Sequence, residues 1–262
     1  MRRAYADIPE GQVHYRTEGD GEPVLMLHAA VTSSAEFSRV IPFLSGSYRA
    51  IALDFLGAGE SDPAPRPYEI PDHAQTVVSF MDSLGIGKAH IVGQFNGAMV
   101  ATEIAVSWPE RVNKLVLGGT GFWEKTEADA LDEPTGFTSR NELRPDGSHL
   151  LEWWQRANSF GDRPLEIAEE RVLEYIKAGP RGEEMHWAGA VYDLKPRLPL
   201  IACPTLVLDA THFLFHYLAE EVKDLIPNAR LTVIENGPMF VTRAMPREYA
   251  EAVLTFLDSP DT

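Results

Sequence analysis

Five short apolar runs constrain this chain more than any other feature: VLMLHA (24–29), YRAIALD (48–54), AHIVGQ (89–94), VNKLVLGG (112–119) and PTLVLDA (204–210). Each is bounded by turn signals and is short for a buried helix, which suits strands covered on both faces of a parallel sheet. Parallel neighbours need long crossovers, and stretches of helical period lie between the runs. Residues 71–84 align Ala74, Val77, Val78 and Met81 on one stripe behind Pro71, and residues 246–257 do the same with Tyr249, Val253, Phe256 and Leu257. Upstream, AYADI and QVHYRTEG alternate as antiparallel strands do. The expected fold class is α/β, a doubly wound and mostly parallel sheet.

Residues 121–197 break this rhythm. They are rich in Trp, Glu, Arg, Pro and Gly, with helical pieces SHLLEWWQRANSF and PLEIAEERVLEYIKAG. The expected organisation is a core domain of residues 1–120 and 198–262 with a helical cap, 121–197, inserted over the carboxyl ends of the strands. A peripheral helical pair that only stabilises the core is the plainer alternative. Trp123, Trp153, Trp154 and Trp187 either line an apolar cavity or form the cap's own core.

A formal net charge of −16 opposes binding to nucleic acid and to anionic membranes. No apolar run approaches the roughly 20 residues that span a bilayer. The start, MRRAYADIPEGQ, has no apolar segment behind its arginines, so a secretory signal is not expected. With one cysteine, Cys203, no intrachain disulfide can form, and that thiol is expected in the core. A cytoplasmic monomer or homodimer is the expectation.

Linked motifs then narrow the fold. The segment VLMLHAAVTSSAEFSRVIPFLSGSYRAIALDFLGAGESD is followed by MDSLGIGKAHIVGQFNGAMVATEIAVSWPERVNKLVLGG, and later come PTLVLDATHFLFH and LTVIENGPMFVTRAMPREYAEAVLTFL. In this order they resemble the α/β-hydrolase superfamily over nearly the whole chain. The resemblance implies a nucleophile elbow, G-x-S-x-G, followed by an acid and a histidine. The elbow here reads Gly93-Gln94-Phe95-Asn96-Gly97, with Phe95 at its apex. Carried over by position, the acid slot is Phe213 and the histidine slot is Met239. None of the three can attack, abstract a proton or orient a base, so serine hydrolysis is not expected.

The family's His-Gly oxyanion loop reads His28-Ala29-Ala30. Backbone N–H groups of Ala30 and Asn96 either persist as a carbonyl or anion site or bond to water or the cap; both alternatives stay open. His28 is expected to orient its loop. Asp209 and His212, on the connection after the PTLVLDA strand, are candidates for a base pair, set against a plain strand-end carboxylate and a solvated histidine. Gln94 belongs with these pocket candidates, and Glu235 and Asn236 sit at the end of the last strand. Ser33 and Ser34 read as caps on a helix SAEFSRVIPFL. GAGESD (57–62) lacks the third glycine and following helix of a dinucleotide loop. No spacing suits a metal, and no cofactor is expected.

Three readings follow. In the first, the triad has been exchanged, by nature or by engineering, for an apolar pocket holding a small lipophilic or aromatic molecule or supporting non-hydrolytic acid–base chemistry. The second is a natural lyase, cyclase or isomerase of the same fold, and the third a noncatalytic small-molecule binder.

Overall fold

A computed structural model describes residues 1–122, 143–158 and 164–260. Eight strands form one sheet: β1 (Arg2–Ile8), β2 (Gly11–Glu18), β3 (Pro23–Leu27), β4 (Arg49–Leu53), β5 (Ala89–Gln94), β6 (Val112–Gly118), β7 (Thr205–Ala210) and β8 (Arg230–Ile234). Their spatial order is β1-β2-β4-β3-β5-β6-β7-β8. β1, β2 and β4 pair antiparallel, and every pair from β4 through β3 to β8 is parallel. The five apolar runs are thus five of the six strands in the parallel part of the sheet, β8 being the sixth.

Strand alternation divides the interior into two layers. Leu25, Leu27, Ile51, Ile91 and Leu115 point to one face, where they meet α2 (Ile70–Ser83) and α3 (Asn96–Ser107). Met26, Ala52, Val92, Val116 and Leu206 point to the other, where Tyr249, Val253 and Leu257 of the C-terminal helix (Pro246–Leu257) cover them. Pro71 lies in the first turn of α2, which a Glu69/Asp72 capping box closes.

SAEFSRVIPFL does not form one helix. It makes a single 3-10 turn, Ser34–Phe37, and then a separate helical turn, α1 (Ile41–Leu44). Pro42 lacks the N–H that a continuous helix would need at that point. Ser33 does cap the first turn, accepting from the Ala35 N–H. Ser34 does not: its N–H donates to Asp54 (2.6 Å) and its hydroxyl accepts from Arg16 (3.0 Å).

Between β6 and β7 the described residues contain three helices longer than one turn: Ser148–Asn158, Leu165–Ala178 and Glu184–Val191. Trp153 is buried against His149 and Tyr175, with ring centroids 4.9 and 6.3 Å away, and Trp154 and Trp187 are half-buried. All three belong to or pack against the large apolar cluster that the insertion shares with the sheet, and none of them lines the cavity described below; Trp123 lies outside the described residues. Cys203 is half-buried rather than a core thiol, because it precedes β7 at the rim of the sheet. Among the described residues no helix is long and apolar enough to cross a membrane.

Candidate functional site

Phe95 sits at the junction of β5 and α3 with φ 51° and ψ −110°. A conformation of that kind costs a non-glycine residue about 1–3 kcal/mol, so the surroundings must impose it. They do so through the flanking glycines. A Cβ on Gly93 would lie 2.3 Å from the Gly97 carbonyl oxygen, and one on Gly97 would lie 2.1 Å from that of Leu27. The elbow is therefore a packing solution for bringing helix onto sheet. Its apex is further fixed by the Phe95 N–H, which donates to the Gly118 carbonyl (2.8 Å).

The apex ring meets two others. Phe213 lies edge-on with centroids 6.0 Å apart, and Phe215 stacks on Phe95 at 6.0 Å. Such pairs contribute about 0.5–1.5 kcal/mol each beyond the area they bury. The loop after β7 is tied to the loop after β8 by the His212 N–H, which donates to the Gly237 carbonyl (3.0 Å). Half-buried Met239 packs against the apolar cluster that contains all three rings. Residues far apart in sequence at 95, 213 and 239 thus share one apolar cluster. Phe215, two positions beyond Phe213, was not singled out in the sequence; the turn after β7 brings it onto Phe95, and no local period marks it.

The polar candidates around the elbow have structural partners. Gln94 is buried, and its Oε1 accepts from the Tyr249 hydroxyl (3.2 Å). Asn96 Nδ2 donates to the Met185 carbonyl of the insertion (3.0 Å), while its Oδ1 is buried without a partner. Asp209 pairs with His216 rather than with His212, which is exposed. His216 lies in the 3-10 turn following the loop, and a seven-residue reach was not evident in the sequence. Glu235 and Asn236 are exposed and do not line the cavity.

His28 is buried and bonded through both ring nitrogens. Its Nε2 accepts from the Phe55 N–H (3.0 Å), which leaves Nδ1–H to donate to the Ala29 carbonyl (2.8 Å). Burial lowers its pKa, so the ring is a neutral brace between the loops after β3 and β4. The Ala29 N–H is already bonded to Glu36 (2.8 Å), and Ala30 is buried. The left-handed conformation in this loop falls on Val31, φ 52°, whose carbonyl is held by Arg171 (3.0 Å).

A cavity of about 320 Å³ lies beside the elbow, between the loops after β3 and β4 and the helical insertion. His28, Val31, Phe55, Tyr68, His73 and Met185 are among its walls, and of the sequence-derived pocket residues that are described only His28 is one of them. Ala29, Ala30, Gln94, Asn96, Asp209 and His212 do not line it, and neither does Phe95. The aromatic cluster occupies the elbow itself, so open space begins one strand further along the sheet. His73 escaped notice in the sequence although it stands one turn before Val77 on the buried stripe of α2. Its ring lies edge-on to Phe55 and Tyr68, both at 5.3 Å, and burial pushes its pKa down to about 3.

Beneath the cavity, the turn after β4 folds around Asp54. Its carboxylate accepts from His14 (2.8 Å), the Ser34 N–H (2.6 Å) and the Glu60 N–H (2.9 Å). Burial alone would raise its pKa; these donors outweigh it and hold the group at about 2. A depressed pKa contributes stability above the unfolded value of 3.8, which is lost as pH falls through about 2. We expect Asp54→Asn to remove roughly 2 kcal/mol at pH 7 and to flatten stability between pH 4 and pH 2, measured by urea unfolding.

A second polar arrangement hangs over the elbow from the insertion. Glu183 is fully buried, accepts from Arg156 (2.5 Å), and pairs with His186 Nδ1 (2.6 Å). Burial would raise the Glu183 pKa, but the His186 and Arg156 partners bring it to about 2. The His186 ring stands edge-on to Phe95 at 6.1 Å. Among the described residues no group of three or more His, Cys, Asp or Glu side chains is placed to hold a metal.

An elbow joining β5 to α3, a mostly parallel sheet and helices inserted between β6 and β7 define a hydrolase-type α/β scaffold. The chain belongs to the alpha/beta hydrolase fold family, whose pattern matches residues 22–241. It is 39% identical to 2-hydroxy-6-oxononadienedioate/2-hydroxy-6-oxononatrienedioate hydrolase 2 of Pseudomonas putida, over 97% of this chain and 95% of that one. Its match to haloalkane dehalogenase 2 of Mycobacterium bovis is 36% identical but covers 45% of this chain and 41% of the relative, less than half of either. A bromoperoxidase from Bacillus anthracis superposes with a TM-score of 0.85 at 24% identity, covering 98% of this chain and 100% of that one, a likeness of fold.

Proposed function

We propose that this chain is a non-hydrolytic member of its family that holds a small apolar or aromatic molecule in the cavity between core and insertion. The observation that carries this is the packing of Phe95, Phe213 and Phe215 into one aromatic cluster at the elbow. A relative named as a hydrolase must activate water or a nucleophile on its substrate, and benzyl side chains at the apex and the acid position supply neither. The mainly apolar walls of the neighbouring cavity support binding of a molecule of like character. A fluorophosphonate probe should leave every serine unlabelled, and a panel of p-nitrophenyl esters should be hydrolysed no faster than by buffer. Stoichiometric labelling of one serine together with rapid ester turnover would sink the proposal.

The His186–Glu183 pair favours a second reading, acid–base chemistry without a covalent intermediate. A carboxylate bonded to Nδ1–H leaves Nε2 of a neutral imidazole as the basic atom. If this reading holds, the protein accelerates elimination of a nitrobenzisoxazole, and His186→Gln lowers that rate about 100-fold, the lower end of what a positioned base supplies. The exposed-residue variant His212→Gln should leave it unchanged. Equal rates in His186→Gln and the parent would dispose of it.

A further inference from the structure

We propose that a second cavity, walled on one side by Arg16 of β2, binds a short-chain monocarboxylate through the free end of that guanidinium. The cavity holds about 310 Å³ and lies between the loop after β3, the turn after β4 and the helix Leu165–Ala178. It adjoins the first cavity, since Gly59 and Lys177 belong to the walls of both.

Most of the charge in its wall is already matched. Arg39 and Arg243 bond to Glu170 (2.5 and 2.8 Å), Arg243 also bonds to Glu174 (2.6 Å), and Lys177 pairs with Glu60. Asp54, the remaining carboxylate, takes its bonds from His14 and two backbone N–H groups. Among the described residues of the wall, Arg16 is the cation left over.

Arg16 is half-buried, and its Nε–H donates to the Ser34 hydroxyl (3.0 Å), which holds the guanidinium along one edge. The two terminal nitrogens have no bond among the described residues and are not sealed from solvent. Across the β1–β2 ladder Arg16 stands directly opposite Arg3. Like charges in that register repel each other. Burial and Arg3 lower the Arg16 pKa, and the attraction of Asp54, Glu60 and Glu174 does not make up the difference. An anion at the free end would supply the missing attraction.

The chemistry of that anion follows from the donors and from the charges around them. The terminal nitrogens of a guanidinium present a fork that one carboxylate fits with both oxygens. With one cation unmatched, one negative charge is the complement. A dianion such as phosphate would bring its second charge among carboxylates that already have their partners. The Ser38 hydroxyl, also in the wall and free of bonds among the described residues, is a further donor. Ala35 and Leu173 form the apolar part of the lining, room for an aliphatic chain of a few carbons.

Butyrate, butyramide and inorganic phosphate are the probes, titrated at constant ionic strength and followed through the arginine Nε–H signals of labelled protein by NMR. Butyrate should move the Arg16 signal in the parent protein, saturating at one site. It should bind about tenfold more tightly than butyramide, the scale of one hydrogen bond to a charged group. Phosphate should bind more weakly than butyrate. Calorimetry of Arg16→Gln should show butyrate affinity reduced to that of butyramide, and Arg16→Lys, which keeps the charge and loses the fork, should fall between. Equal binding of butyrate and butyramide, an Arg16 signal unmoved at butyrate saturation, or full affinity in Arg16→Gln overturns the proposal. Phosphate binding more tightly than butyrate overturns the assignment of a monocarboxylate, and binding of none of the three overturns the site itself.

Discussion

Combining Phe95→Ser, Phe213→Asp and Met239→His should raise hydrolysis of p-nitrophenyl acetate about 100-fold over the parent. That is a small part of the roughly millionfold that a mature triad supplies. Each single replacement should stay at the parental rate, because nucleophile, base and orienting acid act as a unit. The backbone at position 95 already has the elbow conformation, so the serine inherits its presentation without a change of fold. Stability should be equally non-additive. Phe213→Asp alone removes a ring from the aromatic cluster and buries a carboxylate without its intended partner, a change of several kcal/mol. The histidine at 239 would offset part of that cost. A folded triple variant no faster than the parent would mean that the assignment of these positions is mistaken, or that the loop from His28 to Val31 cannot stabilise an oxyanion.

Arg243→Met should lower the free energy of unfolding by about 3–5 kcal/mol, the cost of leaving a buried partner charge exposed to an apolar interior. Arg243 stands just beyond Met239 and is itself buried. It donates to Glu174 (2.6 Å) and Glu170 (2.8 Å) of the helix Leu165–Ala178, and Arg39 reaches the same Glu170 (2.5 Å). Burial raises the Glu174 pKa despite Arg243 and Arg171 beside it, a sign of how costly that charge is to bury. Changing Glu174→Leu together with Arg243→Met should recover much of the loss, since it removes the orphaned charge as well. Urea unfolding of the singles and the double gives the coupling directly; strictly additive effects would show that the pair is not a unit.

The fold was legible because its signals are local and repeated. Apolar runs with turn residues at both ends mark β3 to β7, and Gly93 and Gly97 mark the elbow through a requirement for close approach that no larger residue meets. SAEFSRVIPFL was misread because helical period continues through Pro42, whereas the chain stops its first turn at Phe37 and starts a second at Ile41 with Pro42 in its opening positions. Candidate site positions could be named only where a motif fixed a register, as for Phe95, Phe213 and Met239 against their strands, whereas the Asp209–His216 pairing depends on how the loop after β7 turns back. His73 was hidden for a different reason. On an apolar stripe a histidine reads as core, and only the fold shows that this residue stands in the wall of a cavity.

The strain at Phe95 bears on how backbone outliers are interpreted. A residue at φ 51° on a strand-to-helix corner invites the inference that chemistry demands it. Here the demand comes from two glycines and the backbone of Leu27, and it acts on whatever residue stands between them. Such a corner is an inherited mounting bracket: it dictates where a side chain is displayed and is silent about which one. Across proteins with this junction, torsion angles locate the display position, and reactivity must be judged from the side chain and its neighbours.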